Sequence, residues 1–222
     1  MPGYAGTLIA TVERLARQGD PALTLATFPE GIGEMLARVE ERTRVSVWNM
    51  QRLSQVSLTR IAWALDRRSR GRGVEERTIY PRPAAVLHPL LTTVEPSLRV
   101  APVATSVLVS DGTFAMVLGT DPHTGQTATY GSDDPDVVAL ACAAFQEAWD
   151  RSSSWEEAGL RPPLQERRFR IAVLLIDGHS DREIADELGI GLRTVSAEVR
   201  AIVDWLGARN RGHAVAMLVG AG

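Results

Sequence analysis

The sequence predicts two architectures in one chain: a mixed α/β domain over residues 1–150 and an all-α helix-turn-helix domain over 164–222, joined by a linker at 151–163. Three observations carry that division. Strand-like and helix-like segments alternate through residues 20–150. The pair Asp111-Gly112 stands between two apolar runs, the strongest short hairpin signal in the chain. The run from Ser180 to Val195 has the spacing of two helices closed by a glycine turn.

Taken in order, Leu8 to Arg17 has helical spacing, and Leu23 to Thr27 reads as a strand ahead of a helix from Glu30 to Arg42. Val45 to Met50 reads as a buried strand, Leu58 to Arg70 as a helix, and Val74 to Tyr80 as a second strand after the stop Gly71-Arg72-Gly73, together a βαβ unit. Leu98 to Val103 is a further strand. Val107 to Ser110 and Thr113 to Leu118 flank the hairpin turn, and a strand at Thr127 to Tyr130 precedes the helix Pro135 to Trp149. Between Asp150 and Gln165, Ser152-Ser153-Ser154 and Pro162-Pro163 read as a polar, partly stiff connector.

Composition removes several function classes. All 24 basic residues are arginine. Without lysine there is no Walker A loop, no Schiff-base chemistry, and no lysine for a phosphoacceptor receiver pocket. A single cysteine, Cys142, excludes an intramolecular disulfide and a cysteine-based metal cluster, and its apolar neighbours mark it as a packing residue. No cofactor or metal is implied. The chain has no run of about 18 apolar residues and no export signal at its start, so a cytoplasmic protein without membrane partners is expected.

In the carboxy-terminal part, Ser180 is placed to cap a helix and Glu183 to reach back to the cap amide. Ile184, Ala185 and Leu188 share one face, and Gly189 supplies the left-handed turn against which Ile190 folds back. The next helix, 192–206, buries Val195, Val199, Ile202, Val203 and Leu206. At about 100° per residue its opposite face centres on Arg193, Ala197 and Arg200, flanked by Thr194 and Ser196. Arg182 and Arg211 complete the residues expected to meet DNA, and Asp204 lies too far along the helix to oppose it.

Residues 164–219 resemble the four-helix DNA-binding domain of LuxR and FixJ type regulators. Leu164 with Ile171, Leu174 and Leu175 matches the family's first helix, Asp177-Gly178 its acidic-glycine turn, and Asn210 to Val215 the start of its last helix. The resemblance implies a dimer contact at Ala214, Met217 and Leu218, hence a homodimer on two half-sites of double-stranded DNA. Departures are Ser196 where the family has a basic residue, Glu198 where a histidine is frequent, and Arg168 in place of a glutamate that bonds within the domain. That internal pairing is therefore lost or replaced. Residues 161–222 hold nine arginines against eight acidic residues, a net of plus one, low for a DNA-binding unit.

The element order upstream, with Val107 to Met116, resembles the degenerate phospholipase D-like domain found before such helix-turn-helix units in actinobacterial regulators. Another mixed α/β ligand-sensing domain is the alternative. Phospholipase D chemistry needs a histidine nucleophile and a lysine clamp before this hairpin, where Ala104-Thr105-Ser106 stands instead, so no catalytic residue is expected. His88 and His123 read as surface histidines. Trp48, Asn49 and Gln51, at the carboxyl end of a strand, are the candidate ligand-lining residues, with Trp48 as plain core the competing reading. Arg67, Arg68, Arg70 and Arg72 end a helix and read as solvated charges, with anion binding the alternative. The reading is a DNA-binding transcription regulator controlled by a small molecule or protein partner; a ligand-binding or scaffold protein with a vestigial helix-turn-helix is its competitor.

Overall fold

The computed structural model describes residues 3–26, 30–52, 65 and 67–221, and its described residues divide into two units. One is built on an eight-stranded mixed sheet and comprises the described residues up to Arg82 together with Ser97–Ser154. The other takes Pro83–Pro96 and the chain from Trp155 onward and is helical. The chain therefore passes between the units three times, which a linear division at 151–163 does not contain.

The sheet unit holds helices α1 (Tyr4–Gln18), α2 (Glu30–Arg42) and α5 (Pro135–Asp150). Its strands are β1 (Thr24–Ala26), β2 (Ser46–Met50), β3 (Glu75–Tyr80), β4 (Leu98–Val100), β5 (Val107–Ser110), β6 (Phe114–Thr120), β7 (Thr127–Ser132) and β8 (Ser153–Ser154). The order across the sheet is β1-β7-β6-β5-β2-β3-β4-β8. β2, β3 and β4 run parallel and the other pairs antiparallel. Alternate side chains feed two cores on opposite faces. Val107, Val109, Ala115 and Val117 join Leu8, Val12 and Phe145 of α1 and α5, whereas Leu108, Phe114 and Met116 join Met35 and Val39 of α2. Gly131 on β7 leaves room for that second layer. A Cβ there would lie 2.8 Å from the Phe114 ring and 2.9 Å from the Met35 sulfur.

The hairpin signal is realised, with Asp111 and Gly112 both in the left-handed region at φ 51° and 65°. Asp111 does more than turn the chain. Its carboxylate accepts the backbone N–H groups of Arg44, Val45 and Ser46 at 2.8–2.9 Å, fixing the entry to β2. Partial burial pushes its pKa upward, but the three N–H donors and the Arg44 charge outweigh that and hold it below the ordinary carboxylate value.

Several expectations need correction. Only Met50 of β2 is buried, the rest of the strand being half-covered. The expected helix from Leu58 lies mostly outside the described residues, although 67–71 are helical. Its arginines are exposed or half-exposed but not merely solvated: Arg70 pairs with the buried Glu76 carboxylate and Arg72 with that of Glu40, while Arg68, 62% exposed, lies 3.5 Å from Glu40. Ser153 and Ser154, read as linker, pair with Val100 and Arg99 on the sheet edge, where Arg99 also binds Ser152. A two-residue strand is too short to show periodicity.

The helical unit contains α3 (Arg82–Leu87), whose first residue belongs to the sheet unit, and α4 (Leu91–Val94), both unforeseen. They are one to two turns long and bracketed by prolines, so no 3.6-residue pattern develops. His88, between them, is buried instead of exposed, and a Cβ on Gly220 would lie 2.7 Å from its ring. Four further helices follow: α6 (Glu166–Ile176), α7 (Asp181–Leu188), α8 (Leu192–Leu206) and α9 (Arg211–Leu218). Leu164 ahead of α6 is buried and donates its N–H to Thr93 Oγ1 at 2.9 Å, tying α6 to the α4 segment. Among the described residues no helix is long and apolar enough to cross a membrane.

Candidate nucleic-acid interface

The helix-turn-helix is assembled by local chemistry. Ser180 N–H donates to Glu183 Oε2 at 2.7 Å and Glu183 N–H to Ser180 Oγ at 3.3 Å, a complete capping box. The Ser180 backbone donor is the main reason that the Glu183 carboxyl titrates below its ordinary value. Ile184 and Ala185 are buried, so α7 packs by that face. Gly189 ends α7 at φ 63°, and Ile190, half-buried, returns its N–H to Ala185 at 3.0 Å. α8 then starts from Gly191 without a side-chain cap.

On α8, Val195, Val199, Ile202 and Leu206 are buried and Val203 is half-buried. The opposite face is open. Arg193, Ser196, Ala197, Arg200 and Asp204 are exposed and Thr194 is half-buried; Arg182 on α7 is exposed too. Seven residues of helix place Arg193 and Arg200 on one face, about 10 Å apart along the axis. Among the described residues, the guanidinium groups of Arg182, Arg193 and Arg200 have no hydrogen-bond or ion-pair partner, and neither have those of Arg170 and Arg209.

The unit's other arginines are committed internally. Arg161 donates to the carbonyls of Trp205 and Leu206 and lies 6.0 Å from the Trp205 ring, whose Nε1 donates to the Pro162 carbonyl. Sequence reasoning missed this clamp at the end of α8. Arg168 pairs with Glu198 at 2.7 Å, with Arg167 at 3.8 Å from the same carboxylate. The two departures at 168 and 198 are thus partners: the internal pairing is replaced. Arg211 is held by Asp181 and by the His179 carbonyl, and Ser196 Oγ donates to the other Asp181 oxygen at 3.2 Å.

The remaining candidates are dispersed. Ala214 and Leu218 are buried within the helical unit, closed to a second copy, whereas Met217 is half-exposed. In the sheet unit, Trp48 stacks on Phe145 with centroids 5.4 Å apart, so it belongs to the α5 face of β2. Asn49 points to the other face, where its Oδ1 accepts from Gln51 Nε2 at 2.8 Å. The three therefore do not converge on one pocket. Thr105 Oγ1 donates to the Leu118 carbonyl and Ser106 Oγ accepts from Arg52 N–H, so both hydroxyls serve backbone. Cys142 is half-buried, which pushes its thiol pKa up.

Residues 162–207 match the model of a homeodomain-like domain, HTH_23, spanning α6 through α8 and ending before α9. The carboxy-terminal part of the chain thus contains a helix-turn-helix domain. No curated protein matches the chain. Solved structures similar to it include TrmBL2, an archaeal chromatin protein described with a novel mode of DNA binding (14% identity over 65% of this chain and 60% of that one, TM-score 0.46). NucT from Helicobacter pylori is another (11%, 60% and 96%, TM-score 0.43), as is VqmA of Vibrio cholera in complex with ligand and DNA (21%, 53% and 50%, TM-score 0.27). The chain spans 60% of the length of TrmBL2 and half that of VqmA.

Proposed function

We propose that the protein is a DNA-binding transcription regulator that reads duplex DNA with α8. One observation carries the reading: behind a capped helix and a left-handed glycine turn, α8 presents Arg193 and Arg200 on an open face with no partner among the described residues. A long cation on an exposed helix face, without a carboxylate or ring to hold it, contributes little to folding, and a phosphate or a guanine edge is the partner its geometry suits.

In this reading the four helices form a LuxR/FixJ-type domain working as a symmetric dimer on paired half-sites, with Met217 as the member of the α9 trio open to a second copy. The sheet unit is a degenerate phospholipase D-like domain that senses an effector or partner and catalyses nothing of that type, since Ala104-Thr105-Ser106 supplies neither nucleophile nor clamp. The protein acts in the cytoplasm. The second reading, a ligand-binding or scaffold protein with a vestigial helix-turn-helix, draws on the small net charge of residues 161–222.

A salt titration of duplex affinity separates the two. The duplex is first selected from a randomised pool or a genome-wide map of bound sites. Arg200→Ala is then expected to weaken binding and lower the slope of log affinity against log salt by about 0.9 if it meets a phosphate, or to relax one base preference if it meets a base edge. A chain that selects no duplex, or an Arg200→Ala variant that changes neither quantity, sinks the reading.

A further inference from the structure

Three segments meet on the Asp181 carboxylate: its own turn at the start of α7, Ser196 one turn into α8, and Arg211 at the start of α9. One oxygen accepts from the Arg211 guanidinium and the other from the Ser196 hydroxyl. A guanidinium and a hydroxyl offered to two oxygens of one anion are also the donors that hold a DNA phosphate. Resting on the reading of α8 as a DNA-binding helix, we propose that Asp181 is an internal stand-in for phosphate that sets the strength of the backbone contact. It occupies Arg211 and Ser196 in the free protein and repels the phosphate that would replace it.

The site is half-exposed, with Arg211 at 40% and Asp181 at 32% side-chain exposure, so an incoming phosphate can compete for both donors. Arg211 keeps its place while doing so, because its second nitrogen donates to the His179 carbonyl at 2.6 Å. Removing the negative charge therefore leaves a positioned guanidinium without an anion.

The experiment is a gain of affinity, which an unfolded variant cannot mimic. The full-length protein and its Asp181→Asn variant are titrated against the selected duplex and a short mixed-sequence duplex over a range of salt. Asp181→Asn is expected to bind both roughly 3–10-fold more tightly near 0.1 M salt, with a log–log slope steeper by about 0.9, one further phosphate neutralised. Asp186→Asn removes an exposed acid from the same helix and measures the general effect of charge. Arg211→Gln, introduced into the Asp181→Asn background, is expected to abolish the gain. If the parent binds no duplex, the DNA-binding reading falls and this inference with it. If the parent binds but Asp181→Asn leaves affinity unchanged, weakens it, or gains no more than Asp186→Asn, the inference alone is overturned.

Discussion

Arginines of the sheet core and those on the open face of α8 are put to different uses. In the sheet unit, Arg72 and Arg70 meet the buried carboxylates of Glu40 and Glu76. Arg77 lies 5.3 Å from the rings of both Trp48 and Trp149, and Arg99 lies 5.1 Å from Trp149 while binding Ser152. Those guanidinium groups are structural members, each with a partner that would be left exposed or unpaired without it. On α8, Arg193 and Arg200 have no such partner among the described residues. The contrast separates cations that serve the fold from cations left for an outside anion. It also yields an asymmetry: changes in the sheet unit should move stability, and changes at Arg193 or Arg200 should move DNA affinity.

The largest stability effect is expected at Phe145. It is fully buried, stacked between Trp48 and Trp149 with centroids 5.4 and 5.8 Å away, and these rings in turn hold the cation ladder of Arg77 and Arg99. Phe145→Ala removes the ring and leaves a cavity at the centre of the α5 core, a loss of about 3–5 kcal/mol in urea unfolding. A loss below about 1 kcal/mol would mean that the aromatic stack does not hold this unit together.

A smaller effect is expected at Asp111, where the hairpin is tied to β2. Asp111→Asn keeps a residue that tolerates positive φ but replaces one carboxylate oxygen with an amide that faces backbone N–H, costing roughly 1–3 kcal/mol near neutral pH. The sign of the pH dependence follows from the depressed pKa. The carboxylate's contribution is fully present above its unfolded-state value of about 4 and is lost as pH falls through the lower folded-state value. Stability curves of parent and variant should therefore converge on acidification. Parallel curves between pH 6 and the acid transition and below it would show that the three N–H contacts do not depend on charge.

What the sequence disclosed follows the range of the forces involved. Ser180, Glu183 and Gly189 are legible because a cap and a left-handed turn act within a few residues, and Asp111-Gly112 is legible for the same reason. The α8 faces emerged from periodicity alone, down to the open Arg193–Ala197–Arg200 side. Contacts between distant segments did not. Nothing local links Arg72 to Glu40, Arg168 to Glu198, or Arg211 to Asp181, yet these pairs decide which arginines are free. The placement of Pro83–Pro96 with the helical unit was hidden for the same reason, since it depends on contacts such as that of Thr93 with Leu164. Trp48 and Asn49 were grouped by adjacency, but strand alternation sends neighbours to opposite faces.

The smallest effect tests the comparison at its turns. Both units reverse the chain through left-handed backbone, but Asp111 is also anchored by its carboxylate, whereas Gly189 has nothing within 4 Å of where a Cβ would lie. With no clash to confound it, Gly189→Ala should cost only the conformational penalty, roughly 1 kcal/mol. Gly191 is the internal control. It sits two residues on in the same open surroundings, but its φ of −71° needs no left-handed backbone, so Gly191→Ala should cost less in the same thermal or urea melt, only the preference of glycine over alanine at the α8 N-cap. Equal losses at the two positions would show that the turn before α8 is held by packing of Ile190 instead of by backbone conformation, and the orientation of the arginine face would then depend on the core beneath it.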